Sequence, residues 1–347
     1  MPPTPGSAAR AQASSPPDTT APGPATRVRG GVIGTAARFA VPAAAVAALA
    51  LMPSLLPPAA LLNLQSALGL ALFACATNLL VGYGGLVSFG QGAFYGIGAY
   101  VIALAWLHLH APFWASFIVA PVIGAVAALL VGLVALRTRG LYFALLTLAF
   151  SQLFYVIVLQ QTQFTGGANG VFGALLPGFL ADLGHAYYFT LAVAVLGLLV
   201  LWRITRSPFG MTLRAIRENR QRAETLGVHV FAHQLLAFVI AGAFCALAGT
   251  LFVVHDQSAN PNLLNWTQSG YPVLMAVIGG QFVFLGPALG ALIYEQGRDV
   301  VLASFSDWQL AFGLLLLIVA LFSPDGVAGL LARSWNITWR GLRALRR

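Results

Sequence analysis

The sequence predicts an all-α protein, a polytopic transmembrane helical bundle with about 8–10 spans and with broken or re-entrant segments. Of its 347 residues, 59% are hydrophobic and only 8% are charged, whereas a soluble domain carries roughly 25% charged residues. Apolar windows of about 20 residues, long enough to cross the hydrocarbon layer as a helix, recur from residue 39 to residue 322. Few of these windows alternate apolar and polar residues as barrel strands do, so we expect helical spans.

Every one of the 18 basic residues is an arginine. A phosphate-binding Walker loop and Schiff-base catalysis both need lysine, so the chain can do neither by those routes. Cys75 and Cys245 lie in separate apolar segments, and the pair His229 and His233 lacks a third metal ligand. The sequence therefore predicts a protein that is not an enzyme, binds no cofactor or metal, and has no nucleic-acid partner.

Composition divides the chain into a tail, a membrane domain and a second tail. Residues 1–30 are rich in Pro, Ala, Ser and Thr, which predicts a disordered cytoplasmic tail. A cleaved signal peptide is the alternative, although the long apolar stretch after residue 38 is more typical of an uncleaved span. We expect the membrane domain at 31–325 and a basic cytoplasmic tail at 326–347.

Loop charges predict the orientation of the spans. Arginines occupy alternate connections, and the positive-inside rule places those connections in the cytoplasm. The predicted spans are 39–56, 60–81, 92–107, 113–136, 141–159, 187–203 and 234–254. Loop 203–233 and both termini then lie in the cytoplasm. The connections without arginine lie outside, near 108–112, 160–186 and 254–268.

The last third of the chain predicts a broken helix. If 270–295 were one helix, the basic C-terminal end would emerge outside, against the charge rule. Splitting the segment into a piece at 270–280 and a returning piece at 285–300 restores the orientation. Such glycine- and proline-interrupted pieces expose backbone at membrane depth in transporters. The predicted hinge residues are Gly279, Gly280, Gly286 and Pro287.

Residues 82–100, GYGGLVSFGQGAFYGIGAY, interrupt the apolar pattern with glycine, serine and glutamine. Gly92 and Gly96 form a small-xxx-small face that lets another helix approach closely. Ser88 and Gln91 are three residues apart and share a face if that part is helical. Two interpretations remain open: glycines for helix packing, or a polar, unwound element that lines a pathway.

A second glycine-rich stretch is QFTGGANGVFG at 163–173. It falls in a connection assigned to the outside, so it is either a simple loop or a gate at the outer mouth. Taken with the first stretch, it completes the set of candidate pathway residues. They are Asn78, Tyr83, Ser88, Gln91, Thr165 and Asn169.

Loop 203–233 contains a predicted amphipathic helix. Ser207 followed by Pro208 is typical of a helix start. Apolar residues then recur near helical spacing while arginines occupy the other faces. These apolar residues are Leu213, Ile216, Ala223 and Leu226. The helix either lies on anionic lipid or docks a cytoplasmic partner.

Glu295, Arg298 and Asp299 form a charged group near the outer end of the returning piece. Residues with this spacing can neutralise one another on one helix face. Two interpretations are open, a structural ion cluster or a substrate site.

Five blocks follow one another along the chain: NLLVGYGGLVSFGQGAFYGIGAY, GLYFALLTLAF with FTGGANGVFG, SPFGMTLRAIRENRQRAETLGVHV, LLAFVIAGAFCALAGTL, and GPALGALI with ALFSPDGVAGLL. In this order they resemble the permease subunit of branched-chain amino acid ABC importers. The resemblance covers about 80–325. It implies an inner-membrane subunit that translocates Leu, Ile and Val, beside a second related permease, two cytoplasmic ABC ATPases, an external substrate-binding protein and membrane lipid.

The resemblance also implies that the helix at 207–227 is the coupling helix. The general importer motif E-A-A-x-x-x-G is matched only in part, by Ala223, Glu224 and Gly227. The implied contacts with the ATPase are Leu213, Arg214, Ile216, Arg217, Glu218, Glu224 and Gly227, with Leu213 and Ile216 filling a groove on that partner.

One departure bears on the substrate. After the glycine pair at 279–280 the family usually continues with glycine, whereas this chain has QFVF at 281–284. Related systems carry urea, short amides or other small amino and carboxylic acids, so these substrates stay open. A gradient-driven secondary transporter is a further alternative.

Overall fold

The computed structural model of the protein describes residues 44, 46–173, 176–304 and 326, with side chains beyond Arg298 omitted except at 326. The predicted tail at 1–30, residues 327–347 of the second tail, and the last apolar stretch lie outside the described residues. The first predicted span, 39–56, is described only in part: residues 46–51 are helical and a 3-10 turn follows at Met52–Ser54.

Six helices in the described part are long and apolar enough to cross a membrane. They are α1 (Pro58–Asn78, extended to Gly84 by a π-helical turn), α2 (Gln91–Leu109), α3 (Phe113–Ala135), α4 (Leu141–Gln160), α5 (Leu183–Thr205) and α8 (Val230–Asp256). Four further helices are α6 (Pro208–Glu218), α7 (Arg220–Thr225), α9 (Trp266–Gly279) and α10 (Gly286–Ser304), and a single α-helical turn stands at Thr162–Thr165. The predicted class, a polytopic helical bundle, is confirmed.

Sequence features set several helix starts. Pro58 is the first residue of α1, where the missing N–H costs nothing, and Pro112 is the N-cap residue of α3. Gly140 precedes α4 with φ of 55°, a conformation that favours glycine. The Asp182 carboxylate accepts from the backbone N–H of His185 at 3.2 Å and caps α5.

The centre of the bundle consists of α1, α2 and α8. In the most apolar window of α8, 67% of the residues are buried inside the protein, whereas in α4 only 22% are. Helix α4 therefore presents its apolar side chains outward, as a lipid-facing helix does. Small residues allow the central packing: a Cβ at Gly98 of α2 would overlap the backbone of Ala246 in α8. Helix α3 packs against both α8 and α2.

The predicted break in the last third is present. Helix α9 ends at Gly279 and α10 begins at Gly286, and the two run back along each other as a hairpin. A Cβ at Gly290 would overlap the carbonyl of Met275, so the backbones touch. Since 14 residues of helix reach only about 21 Å, α9 alone is shorter than the hydrocarbon layer. The hinge function of the four glycine and proline residues stays a prediction.

Two of the connecting loops meet in a very short sheet. Strand β1 (Val171–Phe172) pairs antiparallel with β2 (Ser258–Ala259). This pairing ties the glycine-rich stretch after α4 to the segment that leads from α8 into a 3-10 turn at Pro261–Leu264.

Candidate functional site

Ser88 and Gln91 are fully buried in a polar network inside the chain. Ser88 lies in the loop before α2 and Gln91 is the first residue of that helix, so they do not share a helical face. The Gln91 side-chain amide donates to the Ser88 hydroxyl at 3.3 Å, and the Cys245 thiol donates to the Gln91 carbonyl oxygen at 3.3 Å. In this conformation the network joins α2 to α8, and the pathway function of the two residues stays a prediction.

Gln91→Ala is expected to lower the free energy of unfolding by about 1–3 kcal/mol, because the buried Cys245 thiol and Ser88 hydroxyl each lose a partner. The melting temperature of the detergent-solubilised protein checks this. Gln221→Ala, at an exposed position of α7, is the control and should leave the melting temperature unchanged. A stable Gln91→Ala protein that loses transport would instead support the pathway interpretation.

Asn78 precedes the π-helical turn at Leu79–Gly84, and Tyr83 lies within it. The Asn78 amide donates to the carbonyl of Gln281 at 3.1 Å, while its Oδ1 atom is buried with no hydrogen-bond partner in the described part. The Arg214 guanidinium lies 4.7 Å from the centre of the Tyr83 ring. Single π-helical turns inside α-helices are frequent at functional sites.

Thr165 and Asn169 lie just beyond the C-terminal end of α4. The Thr165 hydroxyl donates to the carbonyl of Val158 at 2.6 Å and thereby anchors the loop to the end of that helix. Asn169 is exposed in a 3-10 turn. Thr147, which accepts from the Phe89 N–H next to Ser88, lies about three turns earlier in α4. The structure therefore separates the two glycine-rich stretches.

The prediction of one helix over 207–227 is wrong, because the segment forms α6 and α7 with a break at Asn219. Asn219 has extended backbone angles, φ −155° and ψ 96°, and its side chain accepts from the Arg222 N–H at 2.8 Å, which caps α7. Leu226, assigned to the apolar face, is 77% exposed. Ser207 precedes α6, but its hydroxyl donates back to the carbonyl of Ile204 instead of capping the helix.

The apolar face of α6 packs against the protein itself. Leu213 and Ile216 are buried, so in this conformation neither is available to fill a groove on a partner. Their burial follows from the helix spacing, which places both on the face toward the bundle. Arg217 likewise reaches inward, to the carbonyl of Gly82.

The exposed face of the α6–α7 pair carries charged side chains, with Met211 and Leu226 also exposed on it. Glu218 and Arg214 are exposed on α6. Glu224 pairs with Arg220 at 2.9 Å, and Arg220 also donates to the Gln234 side chain of α8 at 3.2 Å. Gly227 is exposed and ends the pair with φ of 84°. Exposed pairs of this kind contribute roughly 0.2–1 kcal/mol to the free energy of unfolding, so the Arg220–Glu224 pair adds little to the stability of this face.

Glu295 and Arg298 form a loose pair on α10. Glu295 is 4% exposed, and Nη1 of Arg298 lies 3.9 Å from its Oε1. The Asp299 side chain is not among those that the structure describes. Within the described residues no group of three His, Cys, Asp or Glu side chains could hold a metal ion.

Fold and charge together define a multi-pass helical membrane protein with an interrupted helix and an arginine-rich helix pair on one side. The chain belongs to the family described as "Branched-chain amino acid transport system / permease component", which matches residues 59–321. This is a family of transport permease components and not of enzymes.

Curated relatives have related descriptions. The chain is 29% identical over 278 residues to the high-affinity branched-chain amino acid transport system permease protein LivM of Escherichia coli, covering 72% of this chain and 65% of that protein. It is 27% identical to BraD of Pseudomonas aeruginosa, the permease of a system with the same description, over 75% of this chain and 91% of that protein. A third relative, the nucleoside ABC transporter permease protein NupC of Lactococcus lactis, is 32% identical over 34% of this chain and 33% of its own length. No solved structure matches.

Proposed function

We propose that this chain is the permease subunit of an ABC importer in the bacterial cytoplasmic (inner) membrane. It translocates Leu, Ile and Val that an external binding protein delivers, and ATP hydrolysis on partner subunits drives the cycle. The observation that carries the proposal is the family match over residues 59–321, which spans the six long helices, the α6–α7 pair and the interrupted segment.

The proposed complex contains a second related permease and two cytoplasmic ABC ATPases. The α6–α7 pair supplies the docking surface, because its outer face carries exposed charges beside a buried apolar face. The proposed contacts are Arg214, Glu218, Glu224 and Gly227. With this pair in the cytoplasm, the positive-inside rule puts both termini there as well.

A gradient-driven transporter is the weaker alternative. Such a protein needs intramembrane carboxylates or an ion-binding unwound helix to couple the gradient. Among the carboxylates whose side chains the structure describes, Glu295 is the buried one, and Arg298 lies beside it. An ATP-driven cycle needs no such group in this subunit.

Uptake of labelled substrates in a deletion strain tests the proposal. Restoring the gene is expected to restore leucine uptake and to leave the uptake of urea and short amides at the background level. Depleting ATP while the proton gradient is held should abolish leucine uptake. Restored urea or amide uptake without leucine uptake would favour the alternative substrates, and uptake that survives ATP depletion would contradict the importer.

A further inference from the structure

Three segments that are far apart in the chain meet at one place, which we name the arginine junction: Asn78, Gly82, Arg217, Gln281 and Phe282. Arg217 of α6 donates from Nη1 to the carbonyl of Gly82 in the π-helical turn. Its guanidinium carbon lies 5.2 Å from the centre of the Phe282 ring, between α9 and α10. The Asn78 side-chain amide, just before the π-helical turn, donates to the carbonyl of Gln281 between α9 and α10.

The junction is tightly packed around its backbone, while the Phe282 ring is exposed. A Cβ at Gly82 would overlap both the carbonyl oxygen of Gln281 and the Asn78 side chain, so the π-helical turn and the break touch through backbone. Gly85 has φ of 66° and lies against the aliphatic stem of Arg217. Any shift of α6 that moves Arg217 must therefore move these neighbours or break the contacts.

Arg217 interacts here with neutral groups. Its described partners are a carbonyl and an aromatic ring, each of which attracts a guanidinium through a charge-assisted hydrogen bond or a cation–π contact. Arginine suits both at once because its planar group can stack and donate together, which a lysine ammonium cannot do. An arginine whose sole role was to contact a partner subunit would not need these contacts within its own chain.

We propose that Arg217 is a positioning residue that holds the π-helical turn and the α9–α10 break together, so that α6 and the break move as one unit. This inference rests on the proposed function, in which movement of α6 accompanies the ATP cycle. It assigns a use to QFVF at 281–284: Gln281 supplies the carbonyl and Phe282 supplies the ring.

The chain contains its own reporter for the junction. Cys75 is buried beneath the break, and its thiol donates to the carbonyl of Phe284 at 3.7 Å. A thiol in such a place reacts with reagents only when its cover opens. The test measures the rate at which N-ethylmaleimide modifies Cys75 in membranes that contain the full chain with Cys245→Ser.

Arg217→Ala is expected to speed modification of Cys75 by roughly tenfold, and Arg217→Lys by less, since lysine keeps the charge and loses the stacking. Arg139→Ala is the control, because Arg139 is an exposed arginine of another connection. An unchanged rate in Arg217→Ala, or an equal increase in Arg139→Ala, would overturn the proposal. This readout does not depend on the substrate, so it stands even if leucine uptake is not found.

Transport provides the second readout. Arg217→Ala should lower uptake while the subunit still co-purifies with its ATPases, and Phe282→Ala added to it should cause little further loss, because both changes break one unit. Loss of co-purification would show that Arg217 binds the partner directly. A double variant whose fold-loss of uptake equals the product of the two single-variant losses would show that the two residues act independently. Either result would overturn the inference.

Discussion

Gly98→Val is expected to prevent the bundle from assembling. A Cβ at this position of α2 would overlap the carbonyl oxygen, carbonyl carbon and Cα of Ala246 in α8, so backbone would have to move in the most buried part of the protein. Overpacking in a core lowers the free energy of unfolding by about 1–3 kcal/mol when side chains can adjust. A clash with backbone leaves less room for adjustment, so we expect a larger loss here. Size-exclusion chromatography in detergent should show a loss of the monodisperse protein peak.

Gly178→Ala is the control for Gly98→Val. A Cβ at Gly178 meets nothing within 4 Å, so the substitution should leave yield and elution volume as in the unchanged protein. If Gly98→Val folded with an unchanged melting temperature, the close packing of α2 on α8 would be contradicted.

Gly290→Val is expected to separate α9 from α10 and to abolish uptake. The new side chain would overlap the carbonyl of Met275, and among the described helices α10 packs mainly against α9 and α1. We expect the six long helices to stay assembled, so the protein should remain in the membrane. Uptake should fall below a tenth of the normal rate, which corresponds to a free-energy cost of about 1.4 kcal/mol or more for forming the active conformation. Uptake of labelled substrate, normalised to the amount of membrane-inserted protein, measures the effect.

Gly270→Ala in α9 is the matched control. A Cβ there meets nothing within 4 Å, and alanine favours the helix over glycine by roughly 1 kcal/mol, so uptake should be normal and stability equal or higher. Normal uptake in Gly290→Val would show that the tight hairpin is not needed for transport.

The spans and the break could be predicted because their causes are local. A window of about 20 apolar residues fixes a membrane helix wherever it stands in the chain, and the glycine and proline pairs at 279–280 and 286–287 interrupt a helix by their own backbone preferences. The split of the helix pair at Asn219 was missed. Asparagine is only mildly unfavourable within a helix, and its capping of Arg222 becomes decisive where α7 must turn to reach α8.

The junction around Arg217 could not be predicted from the sequence. Its hydrogen bonds join residues that are 135 and 203 positions apart, and no periodicity links such positions. The sequence marked Asn78, Arg217 and the QFVF departure separately, with Arg217 expected to face the ATPase. The buried state of Ser88 and Gln91 was equally hidden, since polar residues before a span are compatible with a pathway and with an internal network.

The most direct test of the proposed function is ATP-driven leucine accumulation in proteoliposomes that contain the complex purified with this chain. With no ion gradient, and with binding protein and leucine supplied on the opposite side, ATP on the ATPase side should drive accumulation, whereas ADP should not. Accumulation that needs an ion gradient and proceeds without ATP would contradict the assignment of this chain to an ATP-driven importer.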